Sequence, residues 1–438
     1  MKIVILGAGI IGVSTAWHLL ERGHEVVVVD RQADAALETS FANAGQISVS
    51  YCEPWANREA PLKALKWMFS KEAPLLFRPT LDPAQWAWGL RFLAQCNDAA
   101  FERNVRQLVA LGAYSHAALK DLVRATGIEY QRLESGIAHY YTDAHAFEEA
   151  ARAAELMQRH GVSRRVVSRE ELLRIEPALA HCNEPIVGGT YTPSDESGDA
   201  RLFTQALAQR CAARGAQFLW QHEVLRLQTE GGALSQVLLN DRLTGQRRSL
   251  KADATVVACG SYSAPLLRQV GVRLPIYPGK GYSATFRIRR PEAAPMVSLL
   301  DDSVKCAMSR LGDTLRIAGT IEVGGWDTSL NSAVSRARCE MLARRVEQVF
   351  PGVCDLSEPN YWAGLRPATP TNIPFIGRTR VAGLWVNAGH GTLGWTHGAG
   401  SGKALAELMS GETPALTSGF LGSATTTGTR TPLRTASA

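Results

Sequence analysis

No run of about 18 apolar residues occurs in the sequence, so a helix spanning a bilayer is not expected. No two cysteines are spaced as Cys-x-x-Cys. The eight lie apart at Cys52, Cys96, Cys182, Cys211, Cys259, Cys306, Cys339 and Cys354. That spacing offers neither a zinc site nor a redox-active disulfide, and reduced thiols are expected. A basic block is missing as well: 47 Lys and Arg stand against 41 Asp and Glu, a formal net charge of +6. A nucleic-acid partner is therefore not expected. The opening residues MKIVILGAG lack the small-residue cleavage pattern of a signal peptide, which points to a cytoplasmic location. There is no internal repeat.

What is present is an ordinary globular balance over 438 residues, 45% hydrophobic and 20% charged, long enough for two domains. The N-terminus reads as strand, tight loop, helix, strand. Ile3, Val4, Ile5 and Leu6 form a buried apolar run, and Gly7-Ala8-Gly9-Ile10-Ile11-Gly12 follows. A helix through Val13, Ser14, Thr15, Ala16 and Trp17 is expected to stop at Gly23, and the valine run after it ends in Asp30. In such a unit the first glycine permits the turn, the second lets backbone approach a pyrophosphate, and the third lets helix and strand pack closely. The helix N-terminus offers free N–H groups to phosphate, and Asp30 can accept both ribose hydroxyls of an adenosine.

The fingerprint does not separate NAD from FAD. Three features favour FAD. It sits at the extreme N-terminus. A second strand, Thr255-Val-Val-Ala-Cys-Gly260, resembles one found in flavoproteins. Near the end, Gly389-His390-Gly391-Thr392-Leu393-Gly394-Trp395-Thr396 opens a helix whose N-terminal dipole could face a flavin N1–C2=O edge. Asp199 is expected to cap another helix, and residues 51–160 are rich in helical spacing.

The segments VILGAGIIGVSTAWHL, LETSFANAGQIS, PLKALKWMF, DESGDARLFTQ, GSYSAPLL, YPGKGYS, GLRPATPTNIPFIGRTR and LWVNAGHGTLGWTHGAGSG together resemble one family. It is the small subunit of bacterial D-amino-acid dehydrogenase, within the FAD-dependent D-amino-acid oxidase and glycine oxidase superfamily. The resemblance runs from Met1 to about Pro414. It implies an α/β fold: an interrupted Rossmann-type FAD-binding domain plus a mixed α+β substrate domain with a predominantly antiparallel sheet. The expected division gives 1–50, 196–270 and 356–416 to FAD, 51–195 and 271–355 to the substrate domain, and 417–438 to a disordered tail. It also implies oxidative deamination of a small D-amino acid, D-alanine foremost, to a 2-oxo acid and ammonia. Electrons would pass to a quinone-linked acceptor.

A substrate carboxylate is best fixed by a guanidinium, whose fork matches it in two parallel bonds. Arg366, in Gly364-Leu-Arg-Pro367, matches the arginine of the glycine oxidase segment. His390 is expected near the flavin, and Tyr277 or Tyr282, flanking Lys280, as a second carboxylate contact. In the superfamily the loop holding Ser40, Asn43, Ala44, Gly45 and Gln46 runs under the pyrophosphate and flavin. Arg31, Val224 and Gly260 complete the expected cofactor contacts. One departure is Thr371, followed by Asn372, where relatives often carry Asp after Thr-Pro; it bears on substrate preference. With no cysteine after Cys354, non-covalent FAD is expected. The basic, apolar-faced segment Leu62–Phe69 suits a peripheral contact with the inner face of the cell membrane. Two other readings stay open: a glycine- or sarcosine-type oxidase using oxygen, and a flavin-bearing subunit without turnover, against which Arg366 argues.

Gly9→Val should fill the space needed by pyrophosphate and abolish FAD retention, read as the flavin absorbance of purified protein. Fully yellow variant protein would contradict this.

Overall fold

The computed structural model of the chain describes residues 1–62 and 74–416. Most of the basic segment Leu62–Phe69 and the whole expected tail lie outside the described residues. A six-stranded sheet runs in the order Phe375–Arg378, Leu384–Ala388, Ala254–Val257, Lys2–Leu6, Glu25–Val29, Gln217–Leu219. All its pairs are parallel except the first. Successive side chains of a strand point to opposite faces, and this sheet is covered on both. Ile3, Ile5, Val26 and Val28 enter one core with the helices, while Val4, Leu6, Val27 and Val29 enter another with Leu227, Val237, Leu239 and Leu267. Both faces being apolar explains why these strands read as unbroken hydrophobic runs.

The first helix, Ile10–Glu21, starts directly after the glycine turn and ends at Arg22 and Gly23, the latter at φ +76°. Asp199 caps the helix Ala200–Ala213 as expected, accepting from the backbone N–H of Arg201 at 2.8 Å and of Leu202 at 3.0 Å. The C-terminal helix, Gly394–Met409, is wedged between the first helix and the long helix Asp98–Thr126. Two glycines allow the wedge. A Cβ at Gly402 would fall 2.7 Å from the backbone of Ser14 and Thr15, and one at Gly400 would fall 2.5 Å from Cα of Ser115.

A nine-stranded sheet forms the second layer system. Eight strands run in the order Cys354–Ala368, Tyr277–Ile288, Thr314–Val323, Cys306–Leu311, Ser298–Asp301, Ile137–Tyr141, Gly188–Thr192, Arg165–Ser168, and Leu75–Phe77 pairs with the end of Thr314–Val323. Most pairs are antiparallel, as expected of the substrate domain. The helix Ala333–Val349 seals one face through Leu342, Val346 and Val349. Sheet membership departs from the expected division in two places. Residues 360–368, assigned to the FAD part, pair with Tyr277–Thr285. The long helix, assigned to the substrate part, packs Leu111, Ala118, Leu119 and Leu122 into the core of the six-stranded sheet. Both follow from burial: each element joins the sheet that covers its apolar side. Arg316 ties the two sheets, donating to Asp199 at 3.1 Å and to the carbonyl of Asn43 at 3.3 Å.

Replacing a helical glycine gains about 1 kcal/mol of propensity at most. Overlap with fixed backbone costs about 1–3 kcal/mol or more, so overlap decides the sign at Gly402. Gly402→Val should lower the denaturant midpoint by that margin and loosen FAD. An unchanged midpoint would show that the three helices have room to separate.

Candidate functional site

One cavity of about 340 Å³ runs along the carboxyl ends of the six-stranded sheet. Its wall joins Gly7, Gly9, Ile10 and Ile11 of the first turn to Asp30 and Arg31 at one end, and to Asn387, His390, Gly391 and Gly394 at the other. Ser40, Val224 and Gly260 also line it. The separate pieces that the sequence marked for a dinucleotide thus face a single continuous space.

The glycine turn discriminates what is filled by protein from what is kept open. A Cβ on Gly12 would lie 1.9 Å from the Gly7 carbonyl, and Gly7 itself sits at φ +106°. At Gly9 a Cβ would meet only Ser40 Oγ, at 3.4 Å. The opening at Gly9 is therefore a cradle that no protein atom occupies, which suits a pyrophosphate. Neither the first helix nor the C-terminal helix has a side-chain cap from its own N-cap residue, and both begin at the cavity wall. Ser40 Oγ accepts from Ile10 N–H at 3.2 Å, supplying one of the missing acceptors from a distant loop.

Asp30 accepts from the N–H of Ala8 at 2.6 Å and of Gln32 at 2.8 Å, which leaves lone pairs on both oxygens for ribose hydroxyls. Burial raises its pKa, opposed by those two N–H groups. Arg31 stacks on Tyr262, 4.0 Å from the ring centroid, and donates to Glu38. Glu38, Thr39, Cys259, Ser261 and Tyr262 line the cavity and were not among the expected contacts. Their one sequence signal was position: they lie beside Asp30 and directly after the strand Ala254–Val257. Cys259 donates to the Leu6 carbonyl, and burial, with Asp30 nearby, pushes its thiol up to about 12.

Other expected contacts support the wall from behind. Ile3, Val4, Ile5 and Leu6 are wholly buried beneath the turn, and Ala8 enters the site through its N–H alone. Val13, Ala16 and Trp17 pack in the helical core, and Ser14 is buried against Gly402. Thr15 Oγ1 accepts from Asn387 Nδ2 at 3.1 Å. Asn43 Oδ1 accepts from Gly45 N–H at 2.9 Å within the loop, and Gln46 donates to Ser298 Oγ of the second sheet at 2.9 Å; neither these residues nor Ala44 line the cavity. Gly389 makes the turn at φ +90° and Thr392 is exposed. Leu393 and Trp395 are core residues, Trp395 donating to the Gly198 carbonyl at 3.2 Å. Thr396 Oγ1 accepts from Ser48 N–H at 3.1 Å. Close sequence neighbours of a cradle need not face it.

Arg366 lies on the strand Cys354–Ala368, one residue before Pro367 of the cavity wall. Gly391 N–H donates to the Pro367 carbonyl at 2.9 Å, which locks that strand end to the turn before the C-terminal helix. The guanidinium donates through Nη1 to the Thr320 carbonyl at 2.7 Å. Among the described residues it forms no ion pair, and burial pushes its pKa down to about 10. Tyr277 pairs with Ala368 and so shares the Arg366 face, in an apolar cluster with Trp88, Val323 and Ala368. Tyr282 does not. It pairs with Ala363 on the opposite face, and its hydroxyl donates to Glu322 at 2.5 Å. The period of two in a strand separates the two tyrosines. Lys280 shares the Tyr282 face, donating to the Ser329 carbonyl at 2.6 Å. Asn372 is buried at φ +60°, and its Oδ1 accepts from Trp55 N–H at 3.0 Å.

Known proteins match this chain along nearly all of it. The model of the DAO family, FAD dependent oxidoreductase, matches residues 2–408. The chain is 49% identical over 414 residues to the D-amino acid dehydrogenase of Dechloromonas aromatica, covering 94% of this chain and 98% of that protein. It is 45% identical over 423 residues to the D-amino acid dehydrogenase of Paramagnetospirillum magneticum, covering 96% and 98%. Among solved structures, glycine oxidase from Geobacillus kaustophilus shares the fold with a TM-score of 0.72 at 22% identity, over 96% of this chain and 98% of that one. L-proline dehydrogenase from P. horikoshii does so with a TM-score of 0.70 at 18% identity, over 95% and 94%.

His390, on the cavity wall, and His397, in the C-terminal helix, are buried imidazoles, and burial pushes both down to about 3. In an unfolded chain the same groups titrate near 6.5. The folded chain therefore excludes a proton that the unfolded chain binds, so this stability is present above about pH 6.5 and lost as pH falls. Between pH 6.5 and 5 each histidine should remove about 2 kcal/mol. Urea unfolding at the two pH values should show the wild type losing about that much more than His397→Gln. An equal loss in both would mean that His397 takes up a proton without unfolding.

Proposed function

The chain belongs to the DAO family of FAD-dependent oxidoreductases, and from that premise we propose that it deaminates D-amino acids oxidatively, D-alanine foremost, and delivers the electrons to a quinone. The observation that carries the substrate reading is Arg366: a part-buried guanidinium with no acidic side chain paired to it among the described residues. Partial desolvation of a cation without a counter-charge is costly, and a ligand carboxylate offsets that cost. The planar fork would take the carboxylate in two parallel bonds, with Tyr277 on the same face as a second donor.

Gly7, Gly9 and the first helix would hold the pyrophosphate, Asp30 the ribose, and the Gly389–Gly394 turn the flavin end. Bound FAD supplies the acceptor for the hydride that leaves Cα. Two parallel bonds fix the plane of the carboxylate, and substrate binding is what Arg366 contributes. The amine must be neutral as the hydride leaves, and its proton goes to solvent. His390 stays neutral at neutral pH, with one ring N–H, so it acts on the cofactor edge as a neutral hydrogen-bonding group and adds no positive charge. The resulting imino acid takes up water to give the 2-oxo acid and ammonia. The Cys259 thiol, held protonated, is a poor nucleophile, which supports non-covalent FAD.

No helix among the described residues is long and apolar enough to cross a membrane. A quinone acceptor would instead be met at the membrane surface. Leu81, together with Trp86, Leu90 and Leu93 of the helix Pro83–Gln95, leaves apolar side chains exposed, which supports peripheral contact there.

Mixed anaerobically with D-alanine, the yellow protein should bleach, and a short-chain quinone should restore the colour without peroxide. L-alanine, glycine and sarcosine should leave it yellow. Arg366→Ala should keep FAD and lose about 2–5 kcal/mol in kcat/KM. Bleaching by glycine or sarcosine with peroxide release would replace this reading by an oxidase, and near wild-type kinetics in Arg366→Ala would remove Arg366 from the site.

A further inference from the structure

We propose that Gly281 is a positioning residue for substrate carboxylate binding, its missing side chain forming the slot in which the Thr320 carbonyl holds the Arg366 guanidinium. The inference rests on the reading of Arg366 as the carboxylate anchor and deepens it.

Three observations converge on the slot. First, a Cβ built on Gly281 falls 2.1 Å from Arg366 Nη1 and 2.2 Å from Cζ. The guanidinium lies flat across the backbone of that strand, in volume any other residue would fill. Second, the neighbouring strand is irregular at this level. Lys280 pairs with Glu322 and Tyr282 with Gly319, so two residues, Thr320 and Ile321, stand opposite the single Gly281. Such bulges re-aim groups near active sites. Third, Thr320 is held at φ +48°, a left-handed conformation that is strained for a β-branched residue. From it, the Thr320 carbonyl accepts from Arg366 Nη1 at 2.7 Å. Pairing of Ile321–Val323 with Leu75–Phe77 holds the strand immediately after the bulge.

The chemistry follows from which donors are spent. A guanidinium has five N–H groups. The bulge carbonyl occupies one on Nη1, fixing the plane and rotation of the group and leaving the remaining donors for a ligand. Because the clashing atoms are the far end of a long side chain, an added methyl group at Gly281 displaces the guanidinium and leaves the sheet intact.

The test compares the wild type with Gly281→Ala, Arg366→Ala and the double variant, all as FAD-loaded full-length protein. Four quantities are measured: FAD content, melting temperature, kcat and KM for D-alanine, and the Kd of propionate from its shift of the flavin absorbance band. Gly281→Ala is expected to keep FAD, melting temperature and kcat near wild type while raising KM and the propionate Kd about tenfold or more. In the Arg366→Ala background the same change should add nothing. Unchanged KM and Kd in Gly281→Ala, or a further equal-fold loss in the double variant, would overturn the proposal. If Gly281→Ala alone fails to fold, a folded, yellow double variant supports the slot and an unfolded one overturns it. If Arg366→Ala itself leaves KM and Kd unchanged, the carboxylate anchor fails first, and the two failures are told apart.

Discussion

A part-buried guanidinium, Arg366, with no acidic side chain paired to it among the described residues is the constraint around which the strands Tyr277–Ile288, Thr314–Val323 and Cys354–Ala368 meet. Leaving Arg366 in that state costs stability, and the chain contains acids that could have relieved it. Arg316, Arg164 and Arg345 are buried more deeply, and each has an acidic partner, Asp199, Glu53 and Glu184 respectively. Arg366 differs from these three in having no acidic partner among the described residues. That difference explains why a strained bulge persists beside it, since a neutral carbonyl can orient the group without neutralising it.

The cofactor side obeys a different rule, that of close approach. Two helix N-termini open on one cavity because the first helix packs against its strand through Gly12, and the C-terminal helix packs against the first through Gly402. Small residues there bring partial positive charges of two helices to bear on one space. The strand Cys354–Ala368 then joins this cradle to the substrate sheet, since its far end is both partner of Tyr277–Ile288 and part of the cavity wall.

Local signals in the sequence carried the cradle well. The glycine turn, the alternation of Ile3 and Ile5 against Val4 and Leu6, the Asp199 cap and the stop at Gly23 each depend on a few adjacent residues. Non-local register was not legible. Tyr277 and Tyr282 look equivalent in sequence, and only pairing with Ala368 and Ala363 sets them on opposite faces. Gln46, Trp395 and Thr396 lie close in sequence to wall residues yet turn into packing, because their hydrogen-bond partners come from strands and loops far along the chain. Residues 360–368 followed the sheet that could pair their backbone, whatever their place in the motif order.

The order of the six-stranded sheet has a consequence for biosynthesis. The first strand emerges with Met1, yet one neighbour is Ala254–Val257, and the wall beyond that is completed by Leu384–Ala388 and the helix ending at Met409. A ribosome-bound fragment therefore exposes the valine-rich strands without their cover for most of translation. Contacts of such long sequence separation also form slowly. The nucleotide cradle is complete only once Leu384–Ala388 and the helix ending at Met409 have joined the strand Lys2–Leu6, so its assembly rests on contacts between opposite ends of the described residues.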